Sequence, residues 1–269
     1  MPLFDAAICT ALMGELTAIS VAAAEAIRRS AWQGGVRIKA DESPVTLADE
    51  AAEAVIRDRL ARLEPALPII SEEAAEGGAP AIDSASFFLV DPLDGTREFI
   101  AGRDEYTVNI GLVCEGVPIL GVIAAPALGL IWRGVAGRGA ERLEFSPQGT
   151  STPEAIQTRA RPERGLRVMV SRSHLDARTQ AYLDGLTDAE PVPSGSSVKF
   201  CRIAEGSADL YPRFGPTRDW DVAAGHAILA AAGGGMVTPE GTFVAYGTRQ
   251  LRIPAFLAAG DPAALPHGP

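Results

Sequence analysis

The chain is poor in cysteine: Cys9, Cys114 and Cys201 are the only three in 269 residues, and none forms a CxxC pair. An odd, scattered set argues against a disulfide framework and fits a reducing compartment, where the three read as small buried hydrophobes. Basic residues are also short, 24 Lys plus Arg against 34 Asp plus Glu, for a net charge of −10. That balance argues against a broad grip on nucleic acid or an anionic membrane. Metal ions or local dipoles can still reverse the sign inside a site. The N-terminal apolar stretch is preceded by Asp5, interrupted by Glu15 and Glu25, and followed by Arg28 and Arg29. This order fits neither a signal peptide nor a membrane span. An amphipathic helix and a cytoplasmic location are expected, with no integral membrane segment; peripheral association with an inner membrane stays open. No internal repeat is visible, and the acids lack the spacing of an EF-hand loop.

What is present is the balance of a soluble globular protein, 47% hydrophobic and 22% charged. The length suits one large α/β domain or two smaller ones sharing a core. Apolar periodicity predicts helices over 4–29 and 46–63, the first ended by Gly34-Gly35 and the second preceded by a loop at Asp41-Glu42-Ser43-Pro44. Strand-like runs follow at 67–71, 87–91, 106–114, 119–125 and 130–135, so the first half reads as two helices on a largely antiparallel sheet. Residues 138–164 show little periodicity, and a subdomain boundary is placed there: 1–150 as an N-terminal α+β unit and 151–269 as a C-terminal α/β unit. Beyond it strands (166–171, 208–211, 236–238, 253–258) alternate with helices (174–186, 198–205, 221–232).

Four segments place acids where a strand ends or a helix begins: Thr46 to Asp49, Ser71-Glu72-Glu73, Asp91-Pro92-Leu93-Asp94-Gly95-Thr96, and Trp220-Asp221. In the third, Asp91 closes an apolar strand, Pro92 takes the chain out of the sheet, and Gly95 permits a sharp turn. Two carboxylates can then aim at one point beside free backbone N–H groups at a helix start. Hard divalent cations want carboxylate and carbonyl oxygens, and phosphate wants exposed N–H groups. Each piece alone has an ordinary reading: a turn at Asp94-Gly95, a solvated Glu72-Glu73 pair, a dipole-favoured Asp221, a capping box at Thr46 and Asp49. Their conjunction in one chain is what points to a metal site.

These residues resemble the inositol monophosphatase superfamily of metal-dependent phosphatases. Thr96-Arg97-Glu98-Phe99-Ile100, Val170 to His174, Gly195 to Cys201, Ala204-Glu205-Gly206, Tyr211 to Thr217 and Ala223 to His226 resemble its 3′(2′),5′-bisphosphate nucleotidase branch, the CysQ type. The resemblance runs from about residue 41 to 233. It implies a layered αβαβα sandwich, of the inositol monophosphatase and fructose-1,6-bisphosphatase kind, with the site between the two halves. It implies Glu72, Asp91 and the Leu93 carbonyl on a first Mg²⁺, and Asp91, Asp94 and Asp221 on a second. A third ion near Glu72 and inhibition by lithium belong to the same family pattern. It further implies that Thr96 and Asp49 orient a metal-activated water and accept its proton.

The expected reaction is hydrolysis of the 3′-phosphate of adenosine 3′,5′-bisphosphate to AMP, with the 5′-phosphosulfate analogue as a further substrate and a place in sulfur metabolism. The N–H groups of Gly95 and Thr96 are expected to cradle the phosphate. For the second phosphate, Lys199 and Arg213 are the candidate cations, with Ser196, Ser197 and the backbone of Gly195 nearby in sequence. Lys199 reads equally as a solvated helix residue, while His174 and His226 read as structural. Without metal, carboxylates this close repel and raise one another's pKa, so cations should stabilise the fold. Three alternatives stand beside this reading: an inositol phosphate or sugar bisphosphate as substrate, a non-catalytic sensor of a phosphorylated metabolite, and an acidic calcium scaffold. A homodimer is one possible assembly.

Overall fold

A computed structural model describes residues 4–30, 35–39, 42–75 and 82–268. Gly34 and Asp41, placed above in a helix end and a loop, lie outside the described residues.

Helix α1 (Ala6–Ser30) starts at Asp5, whose Oδ1 accepts the N–H of Ala7 (2.8 Å) and Ile8 (3.0 Å). Leu12, Leu16, Ile19, Ala23 and Ile27 recur at helical spacing and are all buried. Among the described residues α1 is the one helix long and apolar enough to cross a membrane by length and composition. Its apolar face is instead packed against a second helix and the large sheet. The strand pair β1 (Arg37–Ile38) and β2 (Pro44–Val45) leads into α2 (Leu47–Leu60). Then come β3 (Ile69–Ser71), α3 (Glu72–Ala75), β4 (Ser86–Asp94), α4 (Thr96–Ile100), β5 (Thr107–Cys114), β6 (Val117–Ala125) and β7 (Leu130–Val135). The segment expected to lack regular structure continues this sheet instead, as β8 (Gly139–Ser146), β9 (Gly149–Thr150) and β10 (Glu154–Ile156). In β8 only Ala140, Leu143 and Phe145 are buried, among charged neighbours, which hides the strand from a hydrophobic count. The sheet order is β10-β8-β7-β6-β5-β4-β3 with β9 beside β8, antiparallel except for β3 on β4.

The second half contains β11 (Leu166–Ser171), α5 (Ala177–Asp184), β12 (Ala189–Ser194), α6 (Val198–Ala204), β13 (Leu210–Arg213), β14 (Thr217–Arg218) and α7 (Asp219–Ala231). It ends with β15 (Gly235–Val237), β16 (Arg252–Ile253), β17 (Phe256–Ala259) and a 3₁₀ turn at Pro262–Ala264. Five strands form a mixed sheet in the order β12-β11-β13-β17-β15. Strand β12 carries Pro191 and Pro193, which lack ladder donors, and it sits where such a strand can, at the edge.

The layers follow from what each face buries. α1 and α2 cover one face of the large sheet. α6 and α7 fill the space between the two sheets, and α5 packs on the outer face of the second. The result is a layered αβαβα sandwich. With both faces covered, β5 and β6 are buried almost throughout, which is why they read as continuous apolar runs.

Helix α7 packs closely on the large sheet. Gly111, Gly121 and Gly134 are register partners across β5, β6 and β7 and form a row without side chains. A Cβ on Gly121 would overlap the Ala224 carbonyl, one on Gly111 would stand 3.0 Å from the Ala224 nitrogen, and one on Gly134 would stand 2.8 Å from the Ala231 Cβ. The row therefore lets α7 rest backbone to backbone on the sheet, with its N-terminus at the end of β4.

Candidate active site

Three of the four expected acids, Glu72, Asp91 and Asp221, converge, while Asp94 lines the same cleft outside that cluster, its Oδ2 at 2.8 Å from the Ser197 hydroxyl. A register shift between Asp91 and Asp94 breaks the β4–β5 ladder, and the Pro92-Leu93 step turns both carboxylates toward α7. Asp91 Oδ1 accepts the Leu93 N–H at 3.0 Å, which fixes the bulge. Gly95 follows at φ +93°, and a Cβ there would stand 3.0 Å from the Glu105 carbonyl and 3.3 Å from the Ser196 Cβ, so the turn requires glycine. Ligand oxygens of Glu72, Asp91 and Asp221 lie within 4.8 Å of one another.

The electrostatics are those of crowded acids. Burial, with the charges of Glu72, Asp94 and Asp221, pushes Asp91 well above the usual carboxylate range. Burial and Asp221 push Asp94 to about 6 against the pull of Lys199 and Ser197. Burial raises Glu72 to about 7 although Lys39 opposes it. The donor set is all oxygen, which fits a hard divalent cation. The Leu93 carbonyl, named for the first cation, lies 3.1 Å from the Thr96 hydroxyl, the same distance as Asp49 Oδ1, so the two acceptors compete for its single proton.

Asp49 has two functions at once. Its Oδ2 accepts the Thr46 N–H (2.8 Å) and hydroxyl (2.6 Å), closing the capping box of α2. Its Oδ1 accepts the Thr96 hydroxyl at 3.1 Å, joining α2 to the start of α4. Burial raises its pKa, opposed by the Thr46 and Thr96 hydrogen bonds.

Several residues with a part in the site were not singled out in the sequence. Lys39 is buried and bridges Glu72 (2.9 Å) and Glu73 (2.6 Å), so the Glu pair is not solvated. Asn109 Nδ2 donates to Ser197 Oγ at 2.9 Å and approaches Asp94 Oδ2 at 3.3 Å. Arg97 joins the expected residues in the cleft wall. No local pattern marks Lys39 or Asn109, because each works through a contact distant in sequence, whereas Arg97 lies in the Thr96–Ile100 block quoted above.

The cleft has a volume of about 260 Å³ and is lined by Glu72, Asp91, Asp94, Thr96 and Asp221. His174, Lys199 and Arg213 line it as well. Arg213 is held by the Tyr211 hydroxyl (3.1 Å) and the Pro216 carbonyl (2.9 Å), while its buried Nε has no hydrogen-bond partner. Lys199 is buried rather than solvated, reaching the Ser194 and Ser196 carbonyls and lying 5.3 Å from the Tyr211 ring centroid. Gly195 and Ser196 line the cleft. Ser197 is turned to the acids: its hydroxyl lies 2.8 Å from Asp94 Oδ2 and 2.7 Å from the Asp221 carbonyl. His174 borders the cleft, whereas His226 is buried in α7 with Nδ1 at 3.0 Å from the Tyr246 hydroxyl. Burial pushes His226 down to about 4.

The family model described as "Inositol monophosphatase family" matches residues 13–265. The chain belongs to the inositol monophosphatase family. The 3′(2′),5′-bisphosphate nucleotidase CysQ of Escherichia coli K12 is 47% identical over 196 residues, covering 72% of this chain and 76% of that protein. The CysQ of Salmonella typhimurium is 43% identical over 213 residues, covering 79% and 83%. Among solved structures, CysQ from Bacteroides thetaiotaomicron superposes with a TM-score of 0.78 at 33% identity, covering 93% of this chain and 97% of that one. Membership agrees with the layered fold and with an acid cluster suited to metal-dependent phosphate chemistry.

Proposed function

We propose that the chain is a Mg²⁺-dependent 3′(2′),5′-bisphosphate nucleotidase that hydrolyses the 3′-phosphate of adenosine 3′,5′-bisphosphate to AMP. The observation that carries this reading is the make-up of a single cleft. It gathers the buried carboxylates of Asp91 and Asp94, pushed up by burial and by one another, and it is also lined by the cations Arg213 and Lys199. A ligand with two phosphate groups suits both sets of residues. The CysQ relatives point the same way.

Glu72, Asp91 and the Leu93 carbonyl would hold one cation, and Asp91, Asp94 and Asp221 another; a third near Glu72 is part of the same reading. Such cations neutralise phosphate oxygens and make a water molecule acidic enough to react. The chain's own residues do the rest. The N–H groups of Gly95 and Thr96 cradle the phosphate, and Thr96 orients the attacking water. The proton taken from that water passes along the hydroxyl that already bonds to Asp49, and Asp49 Oδ1 holds it. The 5′-phosphate is placed on Arg213 and Lys199, with Gly195, Ser196 and Ser197 forming the loop beneath it. The same placement admits the 5′-phosphosulfate analogue. Lithium inhibition, a cytoplasmic location, a homodimer and the division into a metal-bearing 1–150 and a substrate-bearing 151–269 belong to this reading.

The test is phosphate release from adenosine 3′,5′-bisphosphate, inositol 1-phosphate and fructose 1,6-bisphosphate, with and without Mg²⁺. The adenosine compound should be preferred by roughly tenfold or more. Arg213→Gln should raise its KM about 10- to 100-fold, the range of a charge-assisted hydrogen bond. A preference for inositol phosphate would keep the site and overturn the substrate. No Mg²⁺-dependent release from any of them would sink the reading.

A further inference from the structure

The Gly195–Ser197 loop touches the acid cluster on its inner side and an ion pair on its outer side. Gly195 N–H donates to Glu105 Oε2 at 3.1 Å. A Cβ on Gly195 would stand 2.6 Å from the Glu105 carbonyl and 2.8 Å from the Glu98 Cγ, so the loop rests directly on the segment between α4 and β5. Arg172 grips Glu105 with two hydrogen bonds, 2.9 and 3.0 Å, and donates a third to the Pro193 carbonyl at 2.8 Å. It thereby ties the end of β12 to the same carboxylate that holds the loop. Two residues beyond Gly195, the Ser197 hydroxyl sits 2.8 Å from Asp94 Oδ2. Between them Ser196 has φ +45°, a left-handed conformation that a serine does not favour unaided. The loop's shape therefore depends on its anchors.

We propose that Glu105, braced by Arg172, is a positioning residue that sets the cation affinity of the carboxylate site by holding Ser197 against Asp94. The proposal rests on the reading of the acids as a cation site. Partly exposed ion pairs contribute little to overall stability, and both partners here are partly exposed. The placement of this pair, one hydrogen bond from the loop, is what gives it a role. Partial burial works against the Glu105 charge, yet the bonds from Arg172 and Gly195 hold the carboxyl below its ordinary range, so it stays an acceptor at neutral pH. Loss of the anchor leaves Ser197 held by Asn109 and the Asp221 carbonyl alone, loosens its hold on Asp94, and adds to the ordering that each cation-binding event requires.

The experiment is Mn²⁺ titration calorimetry on the full chain without substrate, for wild type, Glu105→Ala, Glu105→Gln and Arg172→Gln. Groups that orient a metal ligand directly change affinity about 10- to 100-fold. Glu105 acts one step further out, so Glu105→Ala should weaken Mn²⁺ about 3- to 10-fold. Glu105→Gln retains an oxygen for the Gly195 N–H and should recover most of that loss. Arg172→Gln, which leaves the carboxylate in place, should fall between. Melting points in EDTA should stay within about 2 °C of wild type. Unchanged Mn²⁺ affinity in Glu105→Ala and Arg172→Gln would overturn the proposal. So would a loss that merely follows a fall in the EDTA melting point, or a wild-type chain that binds no Mn²⁺. Because no turnover is measured, failure of the nucleotidase reading alone leaves this result standing.

Discussion

Two helix starts, those of α2 and α7, are built alike and put to different use. Each follows a cap residue in extended backbone, Thr46 (φ −125°, ψ 170°) and Arg218 (φ −104°, ψ 161°). Each has aspartate at the third helical position, Asp49 and Asp221. In each the Oδ2 atom accepts the N–H of the cap residue, at 2.8 and 2.9 Å. It also accepts a threonine hydroxyl, from Thr46 at 2.6 Å and Thr217 at 2.7 Å. The helix dipole favours the charge in both places. The difference lies in the other oxygen. Asp49 Oδ1 meets the Thr96 hydroxyl, whereas Asp221 stands among Glu72 and Asp91. Capping and chemistry are therefore not rival explanations of an aspartate. One oxygen caps the helix in both, and the surroundings differ: a threonine hydroxyl at Asp49, the carboxylates of Glu72 and Asp91 at Asp221.

Asp221→Asn should separate the two most sharply. The amide can still cap α7 but is a poor cation ligand, so activity should fall about 10³-fold or more. Mg²⁺ should no longer raise the melting point, while the EDTA form, relieved of a like charge, should melt no lower than wild type. Asp49→Asn should lower kcat about 10²- to 10³-fold, the scale of a lost proton acceptor. Mn²⁺ affinity should change less than twofold. If both variants lost cation binding equally, the division of labour would fail. Because burial raises Asp49, the acid limb of the kcat profile should lie above the ordinary aspartate value. Activity there should fall as the pH drops and Asp49 takes up a proton.

A pH series on the metal-free protein bears on the Asp221 side. Glu72 at about 7 and Asp94 at about 6 both lie above their unfolded values of 4.5 and 3.8. The folded state then binds the extra protons, so their contribution is full below about pH 4 and is lost as pH rises through 6 to 7. In EDTA the melting point should drop by several degrees between pH 5.5 and 8, and Mg²⁺ should restore more at pH 8 than at 5.5. A larger Mg²⁺ effect at pH 5.5 would contradict the crowding. Thr46→Ala is the mildest change. It should cost about 1 kcal/mol, or roughly 2–4 °C, by loss of the cap alone.

The parts of the site legible in the sequence are those whose meaning is local. Asp91-Pro92 and Asp94-Gly95 announce a strand end and a turn within six residues, and the capping spacing of Thr46 and Asp49 is visible as such. Residues whose role comes from tertiary contact were not legible. Lys39 meets Glu72 across 33 positions, and Ser197 meets Asp94 across 103. In the fold, β5, β6 and β7 stood out because both their faces are buried. Strands β8 and β10 did not, because Arg133, Arg142, Glu141 and Glu154 pair across the sheet, which charge patterning alone does not reveal.

The glycine row beneath α7 has a consequence for tolerance. Since Asp221 rides on that helix and Asp91 on the sheet, their separation rests on close approach: Gly111 and Gly121 to the main chain of Ala224, and Gly134 to Ala231 Cβ and Ile228 Cα. A single methyl group at Gly121 acts as a shim, lifting the helix and widening the gap.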